Sequence, residues 1–529
     1  MKPALSTRLP WQRSPLASGG LASRVSVSRF DLGLIFFLAI IVPAGLNYWL
    51  VINPFTVLMV LRWAVVVGLL LLAFQMVAGS SPWYVRLALS MILGQVIFNY
   101  GFTNIVVGGG GIKFTLAELG VLIALFFLLP KTFVVLKQVP AFWVCLVALI
   151  VPPLIHLYPG IKTYGMSALR DILSVVDLIY FLAGLSVAAC GLMMGSWLAW
   201  RARFIRIWMI AGVLYGCLAP FAMELQAISP AFQSYQQTIP VVGWMLTASV
   251  NALAAISAWY AIPWAYPQAK WLRYPLVALI MIGTLVAVGL TQSRNLYGMV
   301  LLLPFVLAFF GYRKAFTATI AGVVILVAAL GLLEVFSVKV SGRISELTLS
   351  AAVDRFLSVS GKHGDEAGAH GVNQRLDWWA SSLGKWSANP ETIMLGVGYG
   401  PPLTNFRAPG GDYGEGVVVR EPHNSFISSL SRGGVVYFSL WMYVILVPLV
   451  AAAKGARLRM PLQANGHYRG VAAWCFIIML MLLVQSLSEP HFETPSFAAM
   501  YYFVAGFALI EYLVVVGRIK LPGTSGGAP

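Results

Sequence analysis

Charge is what this chain has least of. Of its 529 residues only 10% are Asp, Glu, Lys or Arg, against 59% hydrophobic. Soluble domains carry about 25% charge, so the shortage excludes an ordinary soluble globular protein. Acidic residues are the scarcer sign, 18 against 35 Lys and Arg, giving a formal charge of +17. In so apolar a chain that excess reflects the bias of basic residues toward cytoplasmic loops, and no nucleic-acid partner is expected. Cysteine is nearly missing: Cys145, Cys190, Cys217 and Cys475 all fall inside apolar runs, which excludes a disulfide framework and metal-type spacing. Internal repeats are also lacking, whereas many transporters are built from two similar halves. No cofactor is expected.

What is there in abundance is apolar runs long enough to cross a bilayer, which takes about 20 residues. They lie at 32–51, 55–77, 85–107, 114–130, 139–157, 172–194, 207–224, 241–266, 275–291, 295–310, 315–336, 425–451, 471–488 and 497–516. Gln95, Asn99, Asn104 and the Gly108–Gly111 run dilute the third and fourth. The expected fold is therefore an all-α polytopic membrane protein with about 12–14 transmembrane helices and one long outer loop containing short helices. It divides into a disordered cytoplasmic tail (1–31), transmembrane helices (32–336), the loop (337–424), C-terminal transmembrane helices (425–516) and a cytoplasmic tail (517–529). The N-terminal stretch starts its apolar run too late to read as a removed signal peptide. Basic clusters at Lys131/Lys137, Arg201/Arg203/Arg206, Lys270/Arg273, Arg313/Lys314, Lys454/Arg457/Arg459/Arg469 and Arg518/Lys520 occupy alternate connections. That pattern puts both termini in the cytoplasm and the loop on the opposite face.

The loop closes on Arg420-Glu421-Pro422-His423-Asn424-Ser425-Phe426. Proline is at home at a helix start, and Asn424 or Ser425 suits the cap of the helix that follows. His423 is then a titratable imidazole at the water–lipid boundary, the natural general base at neutral pH. The plain alternative is a histidine hydrogen-bonded at a helix entrance. A rival of the same Pro-His order and the same face, His491, stands in Glu489-Pro490-His491-Phe492-Glu493. Arg294 sits between two apolar runs with almost no loop, on the side that basic residues avoid, and a charge at that depth points to function. Its bland reading is an arginine snorkelling to the interface. Two spans separate it from the loop, an even number, so Arg294 and His423 share a face. Arg375, three residues before Trp378, lies on an expected helix at 375–386; Arg170-Asp171 opens a helix from the same face as either an ion pair or a site element. Arg420 is a further anion ligand.

Other polar groups carry less. His363, Asp365, Glu366 and His370 lie in a Gly-rich stretch without the regular spacing of a metal site, so no metal is expected. Gly396-x-Gly398-x-Gly400 lacks the βαβ surroundings of a dinucleotide loop and reads as tight turning. Arg62, Asp177, Glu118 and Glu224 are scattered over separate helices and read as helix–helix pairing.

Taken in order, Ser293-Arg294, Arg375 with Trp378 or Trp379, Gly396 to Gly400, Pro422-His423-Asn424-Ser425 and Arg432-Gly433-Gly434 resemble the O-antigen ligase and O-antigen polymerase superfamily of bacterial envelope enzymes, over roughly 276–446. The resemblance implies a metal-independent glycosyltransferase of the bacterial inner membrane acting on its periplasmic face. Its donor would be an undecaprenyl-diphosphate-linked glycan, its acceptor a hydroxyl on a glycan or lipid-linked glycan, and its partners the lipid bilayer and other polysaccharide-assembly proteins. It implies Arg294 and Arg375 as ligands of the donor diphosphate and His423 as the residue serving the acceptor; the reading of the residues themselves adds Arg170, Arg420, Asn424 and His491 as candidates for support. Polymerase is favoured slightly over lipid A core ligase. The competing classes are a transporter or flippase for lipid-linked glycans and a structural subunit of an assembly complex; a transporter would place its polar residues at mid-span, whereas here they gather at one face.

Overall fold

A computed structural model describes residues 81–521 except 104–105, 108–113, 219–230, 234–237, 241–244, 266–269, 292, 338–345, 347, 358–365, 410–414 and 459–461. The expected spans at 32–51 and 55–77, Arg62, Glu224, His363 and Asp365 lie outside the described residues. Within them the protein is an all-α polytopic membrane protein. Its helices are α1 Trp83–Phe98, α2 Leu116–Leu136, α3 Pro140–Tyr164, α4 Met166–Met193 (interrupted at Asp177 and Leu178), α5 Trp197–Leu218, α6 Met245–Ala261, α7 Lys270–Thr291, α8 Arg294–Phe309, α9 Arg313–Val335, α10 Leu349–Leu357, α11 Glu366–Trp386, α12 Pro390–Leu395, α13 Ser425–Arg457, α14 Leu462–Gln485 and α15 Pro495–Val515. Among the described residues, seven helices are long and apolar enough to span a membrane: α2, α3, α4, α9, α13, α14 and α15. Shorter apolar helices lie within α1, α6, α7 and α8, and α5 is a continuous helix that carries Arg201, Arg203 and Arg206. Strand is limited to two-stranded antiparallel ribbons such as Arg407–Pro409 with Glu415–Val418.

Burial sorts the helices into centre and periphery. α15 is covered almost along its whole length, and Gly506 lies against Gly184 of α4 so closely that the two backbones touch. Small residues at such a crossing are how helices gain van der Waals contact in lipid, where the hydrophobic effect gives none. α3 and α9 instead expose Leu154, Ile325 and Val335, an apolar face suited to acyl chains. Some polar residues left inside are hydrogen-bonded and others are not: both Asp177 carboxylate oxygens and the Gln485 amide have no hydrogen-bond partner among the described residues. Glu118 closes a capping box with Thr115 at the start of α2 and faces Asp177, in keeping with helix–helix pairing. Cys145, Cys190 and Cys475 are buried free thiols.

The outer segment is more helical than its composition suggests. α11 begins at Glu366, so the end of the Gly-rich stretch, with His370 and Gly371, lies inside a helix. Asn389-Pro390 does not merely end it: Asn389 and Thr392 form a capping box for α12, with Pro390 in the first turn. α12 then delivers the glycine turn to a kink in α13. Gly434 leaves the helical region at φ 63°, ψ −172°, which frees carbonyls upstream of the kink. The Ser431 oxygen accepts from Val397 N–H at 2.8 Å and the Arg432 oxygen from Gly398 N–H at 3.0 Å. Both interlocked glycines, Gly396 and Gly434, have positive φ, and a Cβ on either would collide with the other segment's backbone. Gly434→Ala is therefore expected to destabilise the protein by at least ~2 kcal/mol. Thermal unfolding in detergent should show a lowered midpoint; an unchanged midpoint would mean the kink is not held by this contact.

Candidate functional site

The loop bearing His423 is pinned from both sides. Asn424 is the N-cap of α13, its Oδ1 accepting from Phe426 N–H at 3.0 Å and Ile427 N–H at 3.1 Å. Its amide donates to the Leu487 carbonyl at 2.7 Å, and Ser425 N–H donates to the Ser486 carbonyl at 3.1 Å. Pro422 lies before this cap rather than in the first helical turn, because Asn424 satisfies the helix start and the chain turns sharply at His423. That residue has φ 53°, a left-handed conformation uncommon for a side chain with a Cβ and one that clusters at functional sites. On the other side Trp379 Nε1 donates to the Pro422 carbonyl at 2.9 Å, and the Trp378 ring lies 5.1 Å from the imidazole. Both tryptophans come from α11. The same helix face that turns them inward, one turn on from Arg375, brings that guanidinium to the same place.

Glu489 is where these side chains meet. Arg375 Nη2 donates to its Oε1 at 2.7 Å. His423 Nδ1 lies 3.5 Å from its Oε2 and makes no hydrogen bond at that length. Burial pushes the Glu489 carboxyl up, but pairing with His423 and the Arg375 charge outweigh it and hold the group below the usual carboxylate range. It is ionised. The Arg294 turn is laid against the same loop, since the Asn295 amide donates to Ser488 Oγ, one residue before Glu489. α8 has 16 residues and is only about 24 Å long, shorter than the ~30 Å hydrocarbon core. Its first residue, Arg294, is half-buried.

The supporting arginines do something else. Arg170 and Arg420 pair with Asp171, at 2.9 Å and 2.8 Å. The buried Arg432 reaches the same carboxylate at 3.2 Å, also pairs with Glu421, and donates to the carbonyls of Gly398 and Pro401, each at 3.1 Å. Gly400 N–H also donates to Asp171, at 3.1 Å, and Arg420 donates to the Gly400 carbonyl. Arg420 Nη2 is thus engaged by protein acceptors while its Nε finds none among the described residues, and the side chain fastens the glycine turn to the His423 loop. Arg170 is exposed, and its pairing with Asp171 is the ion pair anticipated as one of its two readings. Removing one member of so buried a cluster leaves an uncompensated charge, which is reason enough for these residues to be present.

His491 takes a different position from His423. It is buried, its ring 4.2 Å from that of Phe497, and Nε2 finds no protein partner. Burial pushes its imidazole down to about 4, so it is neutral at physiological pH. Beneath the loop a small cavity of about 20 Å³ is lined by Ser174, Tyr399, Ser428, Arg432, Trp441 and Glu493. Burial, then the neighbouring Glu421 charge, push the Glu493 carboxyl up to about 8, so it carries its proton at neutral pH. No group of three or more His, Cys, Asp or Glu placed to hold a metal occurs among the described residues.

The arrangement therefore offers two guanidinium-bearing segments, one imidazole and one shared carboxylate at a single end of the helix bundle. The sequence marks Arg294, Arg375 and His423, whereas Glu489 has no signal there beyond its place in the second Pro-His loop. Residues 276–442 match the family model Wzy_C, O-Antigen ligase. The match supports placing the chain in the O-antigen ligase and polymerase superfamily, as a membrane glycosyltransferase of that type. It spans Arg294, Arg375, Arg420, His423, Asn424 and Arg432, whereas Glu489, His491 and Asp171 lie outside it. No curated protein matches the chain.

Proposed function

We propose that this membrane protein, with its O-antigen ligase segment at 276–442, transfers a glycan from an undecaprenyl-diphosphate donor to an acceptor hydroxyl in O-antigen or exopolysaccharide assembly. Arg294 and Arg375 hold the diphosphate and His423 takes the acceptor proton. What carries the reading is the meeting of Arg375 and His423 on one carboxylate, 2.7 Å and 3.5 Å away, beside the turn bearing Arg294. A diphosphate leaving group gathers charge as its bond to the sugar breaks. Two planar, permanently charged forks meet that charge at a half-buried site, the work a metal would otherwise do, so the transfer is metal-independent. The lipid tail lies among the helices. The basic clusters at alternate connections favour an inner-membrane topology with cytoplasmic termini and the site on the periplasmic face, where 337–424 forms the outer loop. Polymerase is favoured slightly over lipid A core ligase. A flippase for lipid-linked glycans would serve itself better with polar residues at mid-span.

Glycan analysis of a deletion strain separates these outcomes. Single-repeat chains on the lipid core identify a polymerase, and carrier-bound polymer with a bare core identifies a ligase. Loss of a secreted polysaccharide alone identifies the exopolysaccharide branch, and intact surface glycans of every kind would overturn the assignment. Cysteine labelling at positions 294 and 423 tests sidedness: labelling from opposite sides would rule out a common site.

A further inference from the structure

We propose that Glu489 is a positioning residue that senses the donor: it holds Arg375 while the diphosphate site is empty and passes to His423 Nδ1 when a diphosphate takes the guanidinium. The proposal rests on the roles given above to Arg375 and His423. It starts from an unequal bridge, with the carboxylate hydrogen-bonded to Arg375 Nη2 at 2.7 Å and still 3.5 Å from the imidazole. His423 Nδ1 is buried and has no hydrogen-bond partner. A buried ring nitrogen left in that state costs free energy, and Glu489 is the acceptor nearest to hand. The loop behind it is fixed, because the Glu489 carbonyl accepts from His491 N–H at 2.9 Å and from Ser425 Oγ at 3.4 Å. Only the side chain has to turn, through less than an ångström at the imidazole end.

A diphosphate competes for the same guanidinium N–H groups with more charge and better fork geometry than a lone carboxylate. Once displaced, Glu489 accepts from Nδ1–H, which fixes the tautomer with its lone pair on Nε2. The step then balances. The acceptor O–H proton goes to Nε2 and the acceptor oxygen bonds the anomeric carbon. The bond from that carbon to the phosphate oxygen breaks, and its electron pair leaves with the diphosphate onto the arginines. The resulting imidazolium is held by Glu489 until it loses its proton to water. Of the other titratable groups on the neighbouring elements, Arg375 comes from α11, Arg294 from the turn whose Asn295 contacts the Glu489 loop, and neutral His491 from that loop itself. Arg420 and Glu421, from the imidazole's own segment, are engaged with Asp171 and Arg432.

The test uses the full chain in lipid nanodiscs. Diethyl pyrocarbonate modifies neutral imidazole, and mass spectrometry of the His423 peptide against pH gives its titration midpoint. Inorganic diphosphate is expected to raise that midpoint in the wild type, and Arg375→Ala to raise it without diphosphate. Glu489→Gln should lower it by about one pH unit and shrink the diphosphate response, while Glu489→Asp restores part of both. In transfer assays Glu489→Gln should split the constants: kcat falls and its acid limb moves to lower pH, while the donor KM falls because the competing carboxylate is gone. A midpoint unchanged by Glu489→Gln, a diphosphate response equal to that of the wild type, or a raised donor KM would each overturn the coupling. Full transfer by His423→Ala would instead remove the base itself, a separate result from the labelling.

Discussion

His423→Ala is expected to lower turnover by about 10²- to 10⁴-fold, the usual worth of a general base, with the lipid-linked donor accumulating and the protein folded. The loop does not depend on the imidazole for its structure. Asn424 caps the helix, Ser425 and Asn424 tie it to the 486–487 backbone, and Trp379 holds the Pro422 carbonyl. Loss of the ring removes its contact with Trp378 and its partnership with Glu489, not an anchor of the chain. The pH profile checks the chemistry: turnover should fall as pH drops through the imidazole titration, since only the neutral form can take a proton. His491→Ala should leave that acid limb where it is, because a buried ring already neutral down to about 4 has no charge to lose in the working range. Wild-type glycan from the His423 variant would move the base elsewhere or show that none is needed.

Arg375→Ala is expected to cost about 10²- to 10³-fold in turnover, the range found when one donor to a developing oxyanion is removed. Arg375→Lys should recover little of it. A lysine keeps the charge but presents one ammonium where the guanidinium gives a planar pair of donors, and here one of those donors is engaged by Glu489. The distinction between the two variants is the informative measurement. Equal and full activity of Arg375→Lys would argue for a point charge and against a forked clamp on the diphosphate. Arg294→Lys tests the same geometry from the other side, and the short α8 gives a replacement little room to reach the site from a new rotamer.

Some of this was legible in one dimension. Apolar runs mark spans because lipid offers no partner to an open backbone, so helices appear close to where hydropathy puts them. Asn424 was readable as a cap because capping is a local event between a side chain and the next two or three amides. The run at Gly396–Gly400 was readable as a turn, since left-handed backbone favours glycine. Counting the spans between Arg294 and His423 gives the expectation that they share a face. Glu489 was not legible in that way. A single glutamate beside a proline has no periodicity and no spacing to mark it, and its meaning comes from Arg375 and His423, which reach it from α11 and the start of α13.

Composition and local pattern, then, determined an all-helical membrane protein, the order of its segments, and the arginines and histidine worth attention, because bilayer solvation and helix termini act on neighbouring residues. Folding in three dimensions decided which charges face one another. It joined Arg375 and His423 through Glu489, gave Arg420 and Arg170 to Asp171, buried His491, and bent α13 at Gly434 to receive the glycine turn. Those outcomes depend on distances between residues far apart in the chain, and electrostatics and hydrogen bonding fall off with distance in space rather than along the sequence.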